Sequence, residues 1–221
     1  MEPFVIRQGD SLVKLAYAFG FDADTVWNDD KNSDLRNLRP DPNILLPSDV
    51  LYIPDQVNKA PDYTSIATGT TNSFVSDAPT ATVTIKFLDS SLAGQPCSIA
   101  ELEHLVDLTT DGSGDLQFSA PVTLDVATIT FSSMAVTCAC RIGGLDPHDA
   151  ASGALQRLAH LGYTQRVGLR QAYVVDDDGP QEWEDAVFVL ALMTFQEEKQ
   201  LPVTGTLDAA TAEALKDEHG A

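Results

Sequence analysis

Hydrophobic positions follow three different rhythms along the chain. In residues 1–55, Phe4, Val5 and Ile6 form a short apolar run. Leu12, Leu15, Ala16 and Phe19 then recur at helical spacing, which predicts an amphipathic helix. Asp10 or Ser11 supplies its N-cap oxygen, and Gly20 stands where a glycine ends a helix. A second short helix, capped by Asp22 or Asp24, carries Val26 and Trp27. Val50, Leu51, Tyr52 and Ile53 form a closing strand, which Pro54 stops. Residues 56–79 hold no periodic apolar pattern and are rich in Asp, Asn, Ser, Thr, Ala and Pro, so they are expected to be a linker or an extended arm.

Residues 80–142 switch to period two. Val83, Ile85 and Phe87 alternate with Thr82, Thr84 and Lys86, as in a half-buried strand. Ile99–Val106 reads as a strand or a helix, and Thr110 to Asp115 as a tight connection leading to Leu116 and Phe118. Val126, Thr128 and Thr130, then Val136 to Ile142, complete a set expected to form a small β-sandwich. Residues 143–221 return to helical spacing. Asp149 is expected to cap a helix carrying Leu155, Leu158 and Leu161, closed by Gly162. Val187, Leu190, Ala191 and Phe195 lie on a second helix, and Asp208 caps a third carrying Ala212 and Leu215. The expected fold is α+β and multidomain, with a βααβ module at 1–55, a β-sandwich-like domain at 80–142 and a helical domain at 143–221.

Charge narrows the function. Lys and Arg number 13 against 33 Asp and Glu, a formal net charge of −20. Such a field repels phosphate backbones and anionic lipid surfaces, which disfavours nucleic-acid and membrane-surface partners. Any glycan would have to be bound through shape and hydrogen bonds. No stretch approaches the roughly eighteen consecutive apolar residues of a membrane span. The start, Met1-Glu-Pro-Phe-Val-Ile-Arg, has no basic segment followed by an apolar core, so a chain made in the cytoplasm without a secretory signal is expected. Cys97, Cys138 and Cys140 form no disulfide framework and are expected to be buried structural thiols. Catalytic constellations are missing: there is no G-x-S-x-G and no H-E-x-x-H, and the four histidines have no ligand spacing. Asp111-Gly-Ser-Gly-Asp115 lacks the later glutamate of an EF-hand and reads as a hairpin turn. The chain is therefore expected to be no enzyme and to carry no cofactor or metal.

Three resemblances sharpen this reading. Phe4 through Gly9-Asp10-Ser11-Leu12, with Asn43-Ile44-Leu45 and the closing Leu45 to Pro54, resembles a LysM module. That resemblance implies two loops, Gly9, Asp10, Ser11, Leu12 and Asn43, Ile44, Leu45, cradling a glycan that contains N-acetylglucosamine. Where the family often has Gly-Gln before the last strand, this chain has Pro47-Ser48-Asp49. Residues 80–142 resemble the carboxypeptidase regulatory-like domain, which is structural or adhesive.

Gly153 through Leu161-Gly162-Tyr163 and Ala191 through Phe195-Gln196, Thr204-Gly205, Asp208 and Thr211 resemble a three-helix peptidoglycan-binding domain. The implied residues of that domain are Tyr163, Phe195, Gln196, Thr204, Asp208 and Thr211. On a structural reading, Phe195 is a core aromatic, Gln196 bonds near a turn, and Asp208 and Thr211 form a capping pair. The compact connection between the family's first two helices is replaced by Thr164 to Ala186, in which Trp183 sits among Glu182, Glu184 and Asp185.

The combination, with Arg36 to Asp55, Gly143 to Pro147 and His219-Gly220, resembles accessory proteins of contractile injection machines such as the type VI secretion system. The implied function is a non-enzymatic peptidoglycan-binding accessory, exported to the periplasm or a target cell and paired with a spike protein or toxic effector. The alternative is a protein-binding adaptor, chaperone or toxin-neutralising partner that has lost glycan binding and uses Trp183 as an anchor.

Overall fold

The computed structural model describes residues 1–55, 78–167 and 182–220, the last stretch with side chains from residue 186 onward. The chain divides into two compact units, Met1–Gly144 and Leu145–Ala221. Nearly all of the expected linker lies outside the described residues, as do most of 164–186 and the side chain of Trp183.

The first unit opens with strand β1 (Glu2–Val5), helices α1 (Leu12–Phe19), α2 (Ala23–Trp27) and α3 (Ser33–Leu38), and strand β2 (Val50–Ile53). β1 and β2 pair antiparallel with Phe4 opposite Leu51. The helices lie between them in sequence and close a core of Ile6, Leu12, Leu15, Val26, Leu35, Leu45, Leu51 and Ile53. Of the two cap candidates, Ser11 does the capping: its hydroxyl oxygen accepts the Lys14 N–H at 3.3 Å. Asp22 caps α2 through the Thr25 N–H at 2.7 Å. Gly20 ends α1 with φ of 71°, a conformation that a side chain disfavours.

The sequence pattern predicts two helices between these strands, and the structure adds α3. Two buried polar groups explain how it is held. Asn32 donates to the carbonyls of Val26 and Tyr52, both at 2.8 Å, and accepts the Tyr52 N–H at 2.7 Å. It thus joins the helical segment to β2. Arg39 at the end of α3 pairs with Asp49, Nε to Oδ2 at 2.9 Å, and both side chains are over nine-tenths buried. Asp49 also accepts the Leu46 N–H at 2.9 Å.

The rest of the first unit is β-rich: β3 (Thr80–Ile85), β4 (Ser98–Ile99), β5 (Leu116–Pro121), β6 (Val126–Phe131) and β7 (Val136–Arg141). β3 pairs with β5, while β4, β6 and β7 form a second antiparallel sheet in that order. Leu116, Phe118 and Ala120 of one sheet share a core with Ile99, Ala127, Ile129 and Phe131 of the other. Period-two alternation produces this arrangement, because every second residue of β5 and β6 points inward.

Ile99–Val106 differs from a full strand. Pairing stops after Ile99, and Ala100–Leu102 turns into a 3-10 helix. The reason lies at Glu101, whose carboxylate accepts both the Thr128 N–H and the Thr128 hydroxyl at 2.7 Å. Thr128 is the residue that would face Ala100 if the register of Ser98 on Thr130 continued.

The second unit holds α4 (Ala151–His160), α5 (Tyr163–Arg166), α6 (Glu182–Glu198) and α7 (Ala209–His219). Ala154, Leu158, Tyr163, Ala191, Leu192, Phe195 and Leu215 form its core. The expected cap at Asp149 gives way to Ala150, which has no side-chain bond at that position. Close packing sets this helix start instead. A Cβ at Gly153 would fall 2.0 Å from the Pro147 carbonyl oxygen, so only glycine fits there. Arg157, fully buried, ties the same segment down by donating to the carbonyls of Asp146 at 2.8 Å and Gly153 at 2.9 Å. Gly162, with φ of 82°, ends α4 and starts the short α5, a helix the pattern does not predict.

Candidate glycan-binding surfaces

The C-terminal motif residues converge on one buried amide. Gln196 is fully buried near the end of α6. Its Oε1 accepts the N–H groups of Thr204 at 3.0 Å and Gly205 at 2.9 Å. Its Nε2 donates to the Thr206 carbonyl and the Thr211 hydroxyl, both at 3.0 Å, and to the Thr204 hydroxyl at 3.2 Å. One side chain therefore fixes the whole loop between α6 and α7. Asp208 caps α7 by accepting the Thr211 N–H at 2.8 Å. The Thr211 amide bond holds its carboxyl below the usual range.

Phe195, Gln196, Thr211 and Tyr163 are buried, whereas Thr204 and Asp208 are exposed. The motif thus builds the loop and leaves only part of itself at the surface. Val189 and Met193 of α6, which carry no sequence signal, complete that surface. Gly205, with φ of 68°, lies so close to α6 that a Cβ would stand 3.0 Å from Val189 and 3.2 Å from Met193. Val189, Met193 and Val203 are exposed, and the Thr204 and Thr206 hydroxyls lie 2.9 Å apart. Neutral hydroxyls beside an apolar floor suit an uncharged polar ligand better than an anion.

Tyr163 packs edge-on against Phe195 with ring centroids 5.3 Å apart. Its hydroxyl donates to Glu198 at 2.8 Å, and Arg166 donates to the same carboxylate at 2.6 Å. Burial, then the Glu198 bond, pushes the phenol up to about 12. That bond in turn holds the Glu198 carboxyl low. Tyr163 is therefore a neutral donor committed within the fold.

The two N-terminal loops also meet. Leu12 N–H bonds the Pro42 carbonyl at 3.0 Å, Val13 N–H bonds Asn43 Oδ1 at 3.3 Å, and Lys14 N–H bonds Ser11. The first three amides of α1 are thus satisfied within the chain, and this helix start offers an anion no ready donors. Asp10 accepts the Arg7 N–H at 2.8 Å, and Asn43 N–H bonds Asp41 at 2.8 Å. Leu12 and Leu45 belong to the core, Gly9, Asp10, Ser11 and Ile44 are half-buried, and Asn43 is exposed.

The remaining candidate chemistry is occupied elsewhere. Asp111 Oδ1 accepts the N–H groups of Ser113 at 2.8 Å and Asp115 at 2.9 Å, which makes the turn at 111–115 a self-bonded connection. Burial pushes the Cys97 thiol up, and burial together with Cys138 pushes Cys140 to about 11, so both stay protonated at neutral pH. Among the described residues no group of three or more His, Cys, Asp or Glu is placed to hold a metal ion. None of their helices is long and apolar enough to cross a membrane.

Residues 154–215 match the peptidoglycan binding domain family. The match runs from Ala154 in α4 to Leu215 in α7 and includes Gln196 and the loop it holds. No curated protein and no solved structure matches the chain. The second unit therefore carries a segment similar to a binding domain rather than to a catalytic one.

Proposed function

We propose that the protein is a non-enzymatic peptidoglycan-binding accessory, and that its second unit engages the wall through Val203–Thr206 and the adjoining face of α6. The observation that carries this reading is the family match over residues 154–215, whose motif residues lock that loop. The N-terminal module, read as LysM-like, adds a second glycan contact at Gly9–Leu12 and Asn43–Leu45. Its support is the strand–helix–strand order and the meeting of the two loops. Its partner in this reading is a spike or effector, a proposal supported by the resemblance of the whole chain to accessory proteins of contractile injection machines.

The test is retention of the purified protein on insoluble peptidoglycan, with free chitooligosaccharide as competitor. Saturable retention supports the reading, and release by the sugar assigns part of it to the N-terminal loops. No retention at physiological salt overturns it.

The second reading is a protein-binding adaptor. One observation favours it: the polar groups that would meet sugar, Asn43 Oδ1 and the Gln196 amide, are committed within the chain. A spike or effector complex that survives excess sugar would distinguish this reading from the first.

A further inference from the structure

After β7 the chain turns at Gly143–Gly144 and meets the loop between β1 and α1. We propose that this turn is a positioning element for the N-terminal glycan loop, so that sugar affinity at Gly9–Leu12 depends on the β-rich part of the same unit. The inference rests on reading Gly9–Leu12 as a glycan loop.

Four observations carry it. Gln8 Nε2 donates to the Gly144 carbonyl at 2.6 Å, directly beside Gly9. A Cβ at Gly144 would stand 3.6 Å from Gln8 Nε2 and 3.9 Å from the Gly9 Cα, so the two segments are in contact. Both glycines are left-handed, with φ of 78° and 75°, a turn that side chains would strain. Lys14 in the first turn of α1 bonds Asp125 at 2.9 Å, and the Asp125 carbonyl accepts the Ile142 N–H at 2.9 Å. The ion pair and the glycine turn therefore belong to one piece of the β-rich part.

The start of α1 is consequently held twice. Leu12 and Val13 are held by Pro42 and Asn43, while Gln8 and Lys14 are held by Gly144 and Asp125. The first grip takes the backbone N–H groups of Leu12 and Val13, and the second takes the side chains of Gln8 and Lys14, so the two use different groups of the loop. Gly9 itself has nothing within 4 Å of a built Cβ and contributes little packing of its own. A loop held by two sets of bonds needs less ordering when ligand arrives, and that saving appears as affinity.

The experiment titrates the full chain with chitohexaose and follows calorimetric affinity, the amide resonances of Gly9–Ser11 and the unfolding midpoint. Gln8→Glu keeps the side-chain length, removes the donor and sets a carboxylate against the Gly144 carbonyl. Gly144→Ala leaves every loop side chain intact and strains only the turn. The expected result is affinity about fivefold weaker for Gln8→Glu, the worth of one hydrogen bond. Gly144→Ala should weaken binding too, with shifted Gly9–Ser11 resonances and a midpoint lowered by the strain of the turn. Wild-type affinity in both variants overturns the positioning role while leaving the glycan reading standing. Weaker affinity with Gly9–Ser11 resonances unmoved in both variants also overturns it, in favour of plain stability. Failure of the wild-type chain to bind chitohexaose overturns the glycan reading, and the inference with it.

Discussion

Replacing Gln196 with methionine keeps most of the buried volume and removes every polar contact of the side chain. Five groups lose a partner: the Thr204 and Gly205 N–H groups, the Thr206 carbonyl, and the Thr204 and Thr211 hydroxyls. Thr204 and Thr206 are exposed and can turn to water, whereas Gly205 and Thr211 are buried. A buried group left without a partner costs about 1–3 kcal/mol, so the two stranded groups together cost about 4 kcal/mol. That is a large share of the ~5–15 kcal/mol that stabilises a whole domain. The chain has two compact units, so one global midpoint would blur the effect. Amide exchange resolves it site by site. The Gly205 N–H should be protected in the wild type and exchange at least a hundredfold faster in Gln196→Met, since each ~1.4 kcal/mol is tenfold. A Gly205 amide that stays protected, with stability lowered by less than ~1 kcal/mol, would refute the view that one amide holds this loop.

Three further outcomes follow from the packing. Asp49→Ala takes the carboxylate away from the buried Arg39 guanidinium and should cost the first unit about 3 kcal/mol in urea unfolding. Gln200 takes φ of 57° just past the end of α6, while Leu201 N–H returns to the Gln196 carbonyl at 2.8 Å. Glycine is the usual residue there, so Gln200→Gly should raise stability by about 1 kcal/mol, read by the same exchange experiment. His160 Nδ1 and His219 Nε2 lie 3.0 Å apart, joining the ends of α4 and α7. Desolvation, then the Arg157 guanidinium, holds His160 below the ordinary imidazole value of 6.5. The unfolded chain then binds more protons than the folded one. This contribution is complete above pH 6.5 and is lost as pH falls toward the lowered folded value. Urea unfolding at stepped pH should show the loss, and His160→Gln should flatten it.

Elements built from local periodicity were legible in the sequence. The alternation of β5 and β6, the glycine after α1 and the Asp208–Thr211 cap each depend on residues within a few positions of one another. What escaped depends on distant partners. Asn32 looks like a surface residue until its bonds to Tyr52, twenty positions on, bury it. The Arg39–Asp49 pair likewise joins residues ten positions apart that no local pattern links. Glu101 ends the β4 pairing by reaching Thr128, which no local pattern reveals. At the candidate site, Phe195, Gln196 and Thr211 were visible as a motif, but their roles lie inside the fold. The surface they support uses Val189 and Met193, two helix residues indistinguishable in sequence from core. Trp183 lies outside the residues whose side chains are described.

The most direct test of wall binding is a titration of the isotope-labelled full chain with soluble peptidoglycan fragments, followed residue by residue. The account predicts saturable shifts at Val189, Met193 and Val203–Thr206, and their loss in Gly205→Val, which forces the loop away from α6. Fragments that leave these resonances unmoved, or that shift only residues remote from this loop, would contradict it.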